Sequence, residues 1–490
     1  MMSPKMRMIS KYPFWCFYLN LLLFACHSPA QKAAAKSSGV EDGLVEKLVL
    51  ANEPKKTFTL EERMSHYQTP GFSIAIVKSG KIVLAKGYGQ KNKKGDPVNS
   101  ETLFQAASIS KPVTALGVLK LVQTGKVDLD VPINQYLKEY QLEDNEFTKT
   151  NKVTLRRLLT HTAGLNLGGF GGYLQNEELP STIDVLLGIG NSPKLEVVEE
   201  PGTRWNYSGG GYVLVQKIIE DVTGLSFEVY METEILKPLG MRRSTFQQPI
   251  DSKWQQNLSH AFDAEGNPID GNWHNYAAKG AGGLWTTPSD LGKWFTGLHN
   301  AYMKKDTTIF SKQTIELMLT KHLRDWGLGP MIINEGKDII LTHDGSNAGF
   351  KADFFGYIKS GNAVIAMGNA ERSSDLCLEY MLSVCSHYGW NARKQRAIHP
   401  IILKNDSLLR YEGVYRWIDR SSYSVEIQLK NEQLHIAYAD DGESRLLPLE
   451  MIDLENTLNI ETGQTVQFRI GENGQPTGLL WRNRFEFVKE

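Results

Sequence analysis

The run Ser108-Ile109-Ser110-Lys111-Pro112-Val113-Thr114-Ala115-Leu116-Gly117-Val118-Leu119-Lys120-Leu121-Val122-Gln123-Thr124-Gly125 decides how this chain is read. Val113, Leu116, Val118, Leu119, Leu121 and Val122 are too dense for a single apolar stripe, so they predict a helix buried on most of its faces. Pro112 fixes where the helix begins, because proline is tolerated only in the first turn, where its missing N–H is not needed. Gly125 is a natural stop. Ser108 therefore falls at or just before the helix N-terminus, where unpaired N–H groups and the positive end of the helix dipole favour negative charge. Lys111, three residues on, shares its face of the helix.

A lysine at the mouth of a buried helix is partly desolvated, which favours the neutral form and lets it accept or relay the serine proton. Ser108 and Lys111 thus read as nucleophile and base within one turn. Spacing alone would be weak evidence, since Ser-x-x-Lys arises by chance about twice in a chain of this length at usual abundances. An N-cap serine beside a surface lysine is the plain alternative. The helix context shifts the balance toward the first reading, because the chain's one Ser-x-x-Lys opens its most apolar helical pattern.

Outward from this run, residues 71–89 form two apolar, β-branched stretches around Lys78, Ser79, Gly80 and Lys81, which predicts an antiparallel hairpin. Further strands are expected much later, at 338–342, 351–358 and 362–367, with helical patterns and long loops between the two groups. The expected architecture is α+β: an antiparallel sheet flanked by helices, completed by both ends of the domain, with a helical subdomain inserted in the middle. From Tyr411 onward short alternating segments at 423–429, 433–438, 465–470 and 484–488 predict a separate small all-β unit, a barrel or sandwich. The expected division is a domain over 42–392, a linker over 393–406 containing Pro400, and the β unit over 407–490.

With 490 residues the chain is too long for one compact core, and its 41% hydrophobic and 22% charged residues are ordinary for a globular protein. Lys and Arg total 54 against 55 Asp and Glu, with no basic block, so nothing recommends a nucleic-acid partner. Lys5, Arg7 and Lys11 precede an apolar stretch over 13–25, too short for the roughly 20 residues that span a bilayer. Residues 1–26 are read as an export signal and 27–41 as a flexible tether. Leu23, Phe24, Ala25 and Cys26 resemble a bacterial lipobox, which would make Cys26 a lipid anchor and the protein's one link to a membrane. Signal cleavage nearby without lipidation is the alternative. The expected location is therefore outside the cytoplasm of a bacterium, periplasmic or tethered as a lipoprotein. Cys377 and Cys385 lie about 12 Å apart along a predicted helix over 375–387, too far for a disulfide.

Several ordered strings accompany Ser108 and Lys111: 158–165 (Leu-Leu-Thr-His-Thr-Ala-Gly-Leu), then Pro201, Gly202, Trp205 and Tyr207 to Tyr212, then Gly282, Gly283 and Leu284, then 343–350 (His-Asp-Gly-Ser-Asn-Ala-Gly-Phe). With Ser-x-x-Lys these resemble the serine β-lactamase and penicillin-binding protein superfamily, particularly its class C β-lactamase, esterase and D-aminopeptidase branch. The resemblance covers roughly 57–388.

The resemblance implies that Tyr207 joins Ser108 and Lys111 in shuttling protons, with cationic Lys111 lowering the phenol's pKa. It also implies that His343 and Gly345 lie on the strand that holds the substrate, and that the N–H groups of Ser346 and Ser108 form an oxyanion hole. His161 would order a loop. Trp205, Gly209 and Phe350 would bind substrate, within a pocket that Tyr173, Trp273, Tyr276 and Trp285 also line. Gly209 stands where the family often has Asn, and His343 where many members have Lys. Both departures weigh against β-lactams and toward an ester or neutral amide.

The expected function is a serine hydrolase acting through an acyl-enzyme on a small molecule or peptide, with no metal or organic cofactor. A non-enzymatic cell-surface binding or sensor protein of the same fold is the alternative. An α/β-hydrolase would need a Gly-x-Ser-x-Gly elbow, and the nearest string, around Ser73, lies inside a predicted strand. A zinc hydrolase would need His-Glu-x-x-His or clustered Cys and His, and the sequence has neither.

Overall fold

The structure is a computed structural model that describes residues 39–440 and 443–490. The expected signal segment 1–26 and nearly all of the tether lie outside the described residues. The tether's last three residues, 39–41, are not free: they form a helical turn with Val40 buried.

After this turn come strand β1 (Leu48–Leu50) and helix α1 (Leu60–His66), whose N-cap Thr59 exchanges hydrogen bonds with Glu62. Hairpin β2 (Gly71–Lys78) and β3 (Lys81–Gly89) follows. Its two turn residues, Ser79 at φ 50° and Gly80 at φ 75°, are both left-handed, the conformation that matches the twist of paired strands. Strand β4 (Phe104–Gln105) leads through a short 3-10 turn into α2 (Ser110–Gln123), with Pro112 in its first turn and Gly125 just past its end at φ 69°.

The inserted segment carries α3 (Leu155–Leu159), α4 (Thr182–Leu187), α5 (Gly209–Thr223), α6 (Phe227–Met231) and α7 (Lys279–Gly282). Strand β5 (Trp285–Thr286) pairs with β4 and leads to α8 (Pro288–Tyr302) and α9 (Lys312–Met318). Strands β6 (Met331–Glu335), β7 (Asp338–Asn347), β8 (Phe350–Tyr357) and β9 (Asn362–Gly368) precede α10 (Ser373–Tyr388).

The main sheet runs β3-β2-β9-β8-β7-β6 and is antiparallel throughout. Its strands come from both ends of the larger unit, with the helical segment inserted between them. In β2 the two-residue period sends Phe72, Ile74 and Ile76 toward α1 and α10, and Ala75 and Val77 toward the core that α2 and α8 complete. The sheet is therefore covered on both faces. Arg63 of α1 grips Glu379 of α10 through two bonds of 2.7 and 2.6 Å, and the Tyr67 hydroxyl donates to the same carboxylate. Cys377 and Cys385 lie buried and free in α10.

The segment 393–406 is more ordered than a linker. Strand β10 (Arg396–Ile398) pairs in parallel with β1, and a short helix starts at Asn405. The last part of the chain is a closed eight-stranded antiparallel barrel, from β11 (Gly413–Trp417) to β18 (Phe485–Lys489). The barrel has its own core of Tyr415, Ile427, Ile436, Leu449, Phe468, Trp481 and Phe487. No helix among the described residues is long and apolar enough to cross a membrane.

Candidate active site

Ser108 sits at the turn between β4 and α2, partly exposed in a buried neighbourhood. Ala107 before it adopts φ 48°, a left-handed conformation that costs a residue with a Cβ about 1–3 kcal/mol and persists only where its surroundings impose it. Leu284 clamps the turn from one side: Ala106 N donates to Leu284 O, and Leu284 N donates to Ser110 Oγ. Gly345 of β7 closes the other, where a Cβ would lie 2.2 Å from the Ala106 carbonyl oxygen and 3.2 Å from the Ala107 Cβ. Only glycine lets the strand pass this close.

Lys111 is buried, and its ammonium reaches Ser108 Oγ at 3.1 Å and the Ala281 carbonyl at 2.8 Å. It lies over the rings of Tyr207 and Tyr212, 4.9 and 5.7 Å from their centroids. Burial lowers its pKa to about 7, and Asp344 raises it only through space. Among the described residues no carboxylate pairs with it. An amine that is half neutral near pH 7 and touches a serine oxygen can take that serine's proton.

Tyr207 comes from the loop before α5. Ser208 caps that helix by accepting from Gly211 N at 3.1 Å. His161, held at φ 57°, accepts from Ser208 N through Nδ1 and stacks on Tyr207 with ring centroids 4.3 Å apart. Burial, with Lys111 and His343 nearby, pushes the His161 pKa well down, so the ring is neutral and shapes the loop. The expectation that Lys111 lowers the Tyr207 pKa is overturned: burial dominates and moves it well above the ordinary phenol value, against a smaller effect from Ser108. Tyr207 is a phenol at working pH.

His343 on β7 is buried and faces Tyr207 and Trp326. Its Nδ1 lies 2.6 Å from the Asp344 carbonyl, which can only accept, so Nδ1 carries the hydrogen. Burial holds its pKa near 4, so this position carries no cation. Ser346 follows Gly345 beside the nucleophile turn, and its hydroxyl accepts from Lys351 at 2.9 Å.

The expectations for Gly209, Phe350, Trp273, Tyr276 and Trp285 as substrate-binding or pocket residues need correction. Gly209 is buried at the start of α5, and a Cβ there would lie 2.9 Å from the Gly168 carbonyl and 3.0 Å from the Phe170 ring. The space that an amide would occupy is filled by the chain itself. Phe350 is fully buried against Phe104 and Trp285, and Trp285 in turn meets Trp273. These aromatics are core. Tyr276 is buried, with its hydroxyl spent on Ala348 N.

Trp205 does reach the site, and with Tyr207, His161 and Trp326 it builds one aromatic wall. No motif flags Trp326. It is fixed by a bond from its indole N–H to Gly329 O and by Gly329 packing on Pro112. Among the described residues no three His, Cys, Asp or Glu side chains converge as a metal site requires.

Penicillin-binding protein 4* of Bacillus subtilis (strain 168) is 24% identical over 467 residues, which are 89% of this chain and 98% of that protein. Protein flp of Staphylococcus aureus (strain MW2) is 31% identical over 237 residues, 47% of this chain and 44% of that protein. Among solved structures, the octameric penicillin-binding protein homologue from Pyrococcus abyssi is similar with a TM-score of 0.60 and 26% identity, over 88% of this chain and 98% of that one. The family model described as Beta-lactamase matches residues 59–382, so the chain belongs to the beta-lactamase family, within the superfamily of serine β-lactamases and penicillin-binding proteins.

Proposed function

We propose that the chain is a serine hydrolase that forms an acyl-enzyme at Ser108 with an ester or neutral amide substrate. The observation that carries this reading is a buried amine, with a pKa of about 7 and no carboxylate partner among the described residues, 3.1 Å from the Ser108 hydroxyl. Neutral Lys111 takes the Ser108 proton as Oγ bonds to the substrate carbonyl carbon. The oxyanion is stabilised by the N–H groups of Ser108 and Ser346. As the carbon–leaving-group bond breaks, Tyr207 gives its proton to the departing atom and is reprotonated from Lys111. Water then attacks the acyl-enzyme by the same route in reverse and frees Ser108.

The substrate reading rests on two features. Neutral His343 offers no cation for a carboxylate, and the packing over Gly209 leaves no amide there. Both favour esters or neutral amides over β-lactams, although the B. subtilis relative is named for binding penicillin. The basic start, the short apolar stretch and Cys26 support action outside the cytoplasm of a bacterium.

A fluorophosphonate probe tests the nucleophile: it labels the wild type and leaves Ser108→Ala unlabelled. Equal labelling of both, or of neither, returns the chain to the non-enzymatic reading. Comparing kcat/KM over p-nitrophenyl esters, D-alanyl peptides and a chromogenic cephalosporin tests the substrate class. A cephalosporin best by about tenfold would overturn the argument from His343 and Gly209.

A further inference from the structure

Behind the strand that carries Ser346 lies a buried charge that none of the expected motifs uses. Lys351 on β8 is directly opposite Ser346 on β7. Its ammonium has three donors, and all three are committed within 3.2 Å: to Ser346 Oγ at 2.9 Å, to Asn347 O at 3.2 Å and to Glu371 Oε2 at 2.5 Å. The lysine is 7% exposed. The other oxygen of Glu371 accepts from Gly349 N at 2.5 Å, so the pair binds both limbs of the turn between β7 and β8.

The rest of that turn is equally constrained. Asn347 Nδ2 donates to Gln105 Oε1 at 2.7 Å and to Gly282 O at 3.1 Å, and Ala348 N donates to the Tyr276 hydroxyl. Gln105 lies three residues before the nucleophile and belongs to β4. The turn is thus tied to the nucleophile turn on one side and to the Lys351–Glu371 pair on the other. An oxyanion hole works only if its two N–H groups keep their mutual geometry to within about 0.5 Å. An ion pair whose lysine is buried and whose glutamate is partly exposed braces the turn that carries one of those groups.

We propose that Lys351 is a positioning residue for the oxyanion hole, acting through the Ser346 hydroxyl and the Asn347 carbonyl and held in place by Glu371. This rests on the hydrolase reading above. Lys351 touches no substrate. Its charge is fixed on the strand next to the one where His343 supplies none.

The test compares Lys351→Met, Lys351→Arg and Glu371→Gln with the wild type on a p-nitrophenyl ester, following steady-state kinetics and the rate of fluorophosphonate labelling. Lys351→Met lowers kcat about 10–100-fold with KM within about twofold, and slows labelling by a similar factor, because the lost interaction matters most in the transition state. Lys351→Arg keeps the charge and recovers several-fold. Glu371→Gln keeps an acceptor for Gly349 N–H but not the charge, and it lowers kcat about 3–10-fold; it also serves if Lys351→Met fails to fold. Folded Lys351→Met or Glu371→Gln with wild-type kcat overturns the positioning role, as does a loss that appears in KM alone. A wild type that neither labels nor turns over any ester sinks the hydrolase reading beneath it.

Discussion

Burying Lys111 without a carboxylate beside it sets its protonation near the middle of the accessible pH range. In the proposed mechanism the base is the neutral amine, whose fraction grows as pH rises through a pKa of about 7. The rate constant kcat/KM therefore climbs with unit slope from acid pH and levels off above about 7. A pH–rate profile reads this directly, and a midpoint near the ordinary lysine value of 10.5 would mean that burial does not lower the Lys111 pKa and that the amine is cationic at neutral pH. Replacing it by Met, similar in length and uncharged, is expected to lower kcat about 10²–10⁴-fold, as measured on an ester. At Gly345 the argument is steric. Gly345→Ala puts a carbon 2.2 Å from the Ala106 carbonyl oxygen, so β7 must back away from the nucleophile turn. An expected loss of about 10²-fold in labelling rate follows from a displacement of that size. The residue scale is also where the sequence is most and least readable. Ser108 and Lys111 could be paired because the rule linking them is local to one helical turn. The Tyr207 pKa could not be read, because burial by His161, Trp205 and Trp326 sets it, and those residues converge from three separate segments. Phe350 and Trp285 read as pocket only because an aromatic in a motif looks the same whether it faces a cleft or the core.

Elements follow the same division between local and distant causes. The β2–β3 hairpin was legible because Ser79-Gly80 supplies the turn between two apolar runs, and α10 because its apolar residues recur at helical spacing. Strand β14 (Glu443–Met451) was not, since Pro448 interrupts its pattern, and β10 was not, since its partner β1 lies about 350 residues away. Helices α1 and α10 cover one face of the sheet, and between them the Arg63–Glu379 pair is buried on both sides. Removing one member strands the other charge away from water, which costs about 3–5 kcal/mol. Arg63→Ala is expected to show that loss in urea unfolding monitored by circular dichroism. A change below about 1 kcal/mol would mean that the pair is hydrated in solution.

At the scale of the whole molecule, the main domain and the barrel keep separate cores, joined by a small cluster of Leu48, Ile398 and Leu458 and by the bond from Lys47 Nζ to Thr462 O. Such a chain is expected to unfold in two calorimetric transitions. Cys377 and Cys385, buried in α10, report on only one of them. Their reaction with a thiol reagent should coincide with the transition of the main domain and ignore that of the barrel. One merged transition, with thiols exposed throughout, would show that the joint couples the two units fully. The sheet itself carries a consequence for the chain as it is made. Strand β2 lies between β3 and β9, and β9 is not synthesised until residue 368. At about 5–20 residues per second, the β2 edge waits roughly 15–60 s for its neighbour. Throughout that interval Phe72, Ile74 and Ile76 pair with β3 alone, without β9 at the other edge or the α10 side chains over their face, and the strand that carries Ser346 has yet to be made beside Ser108.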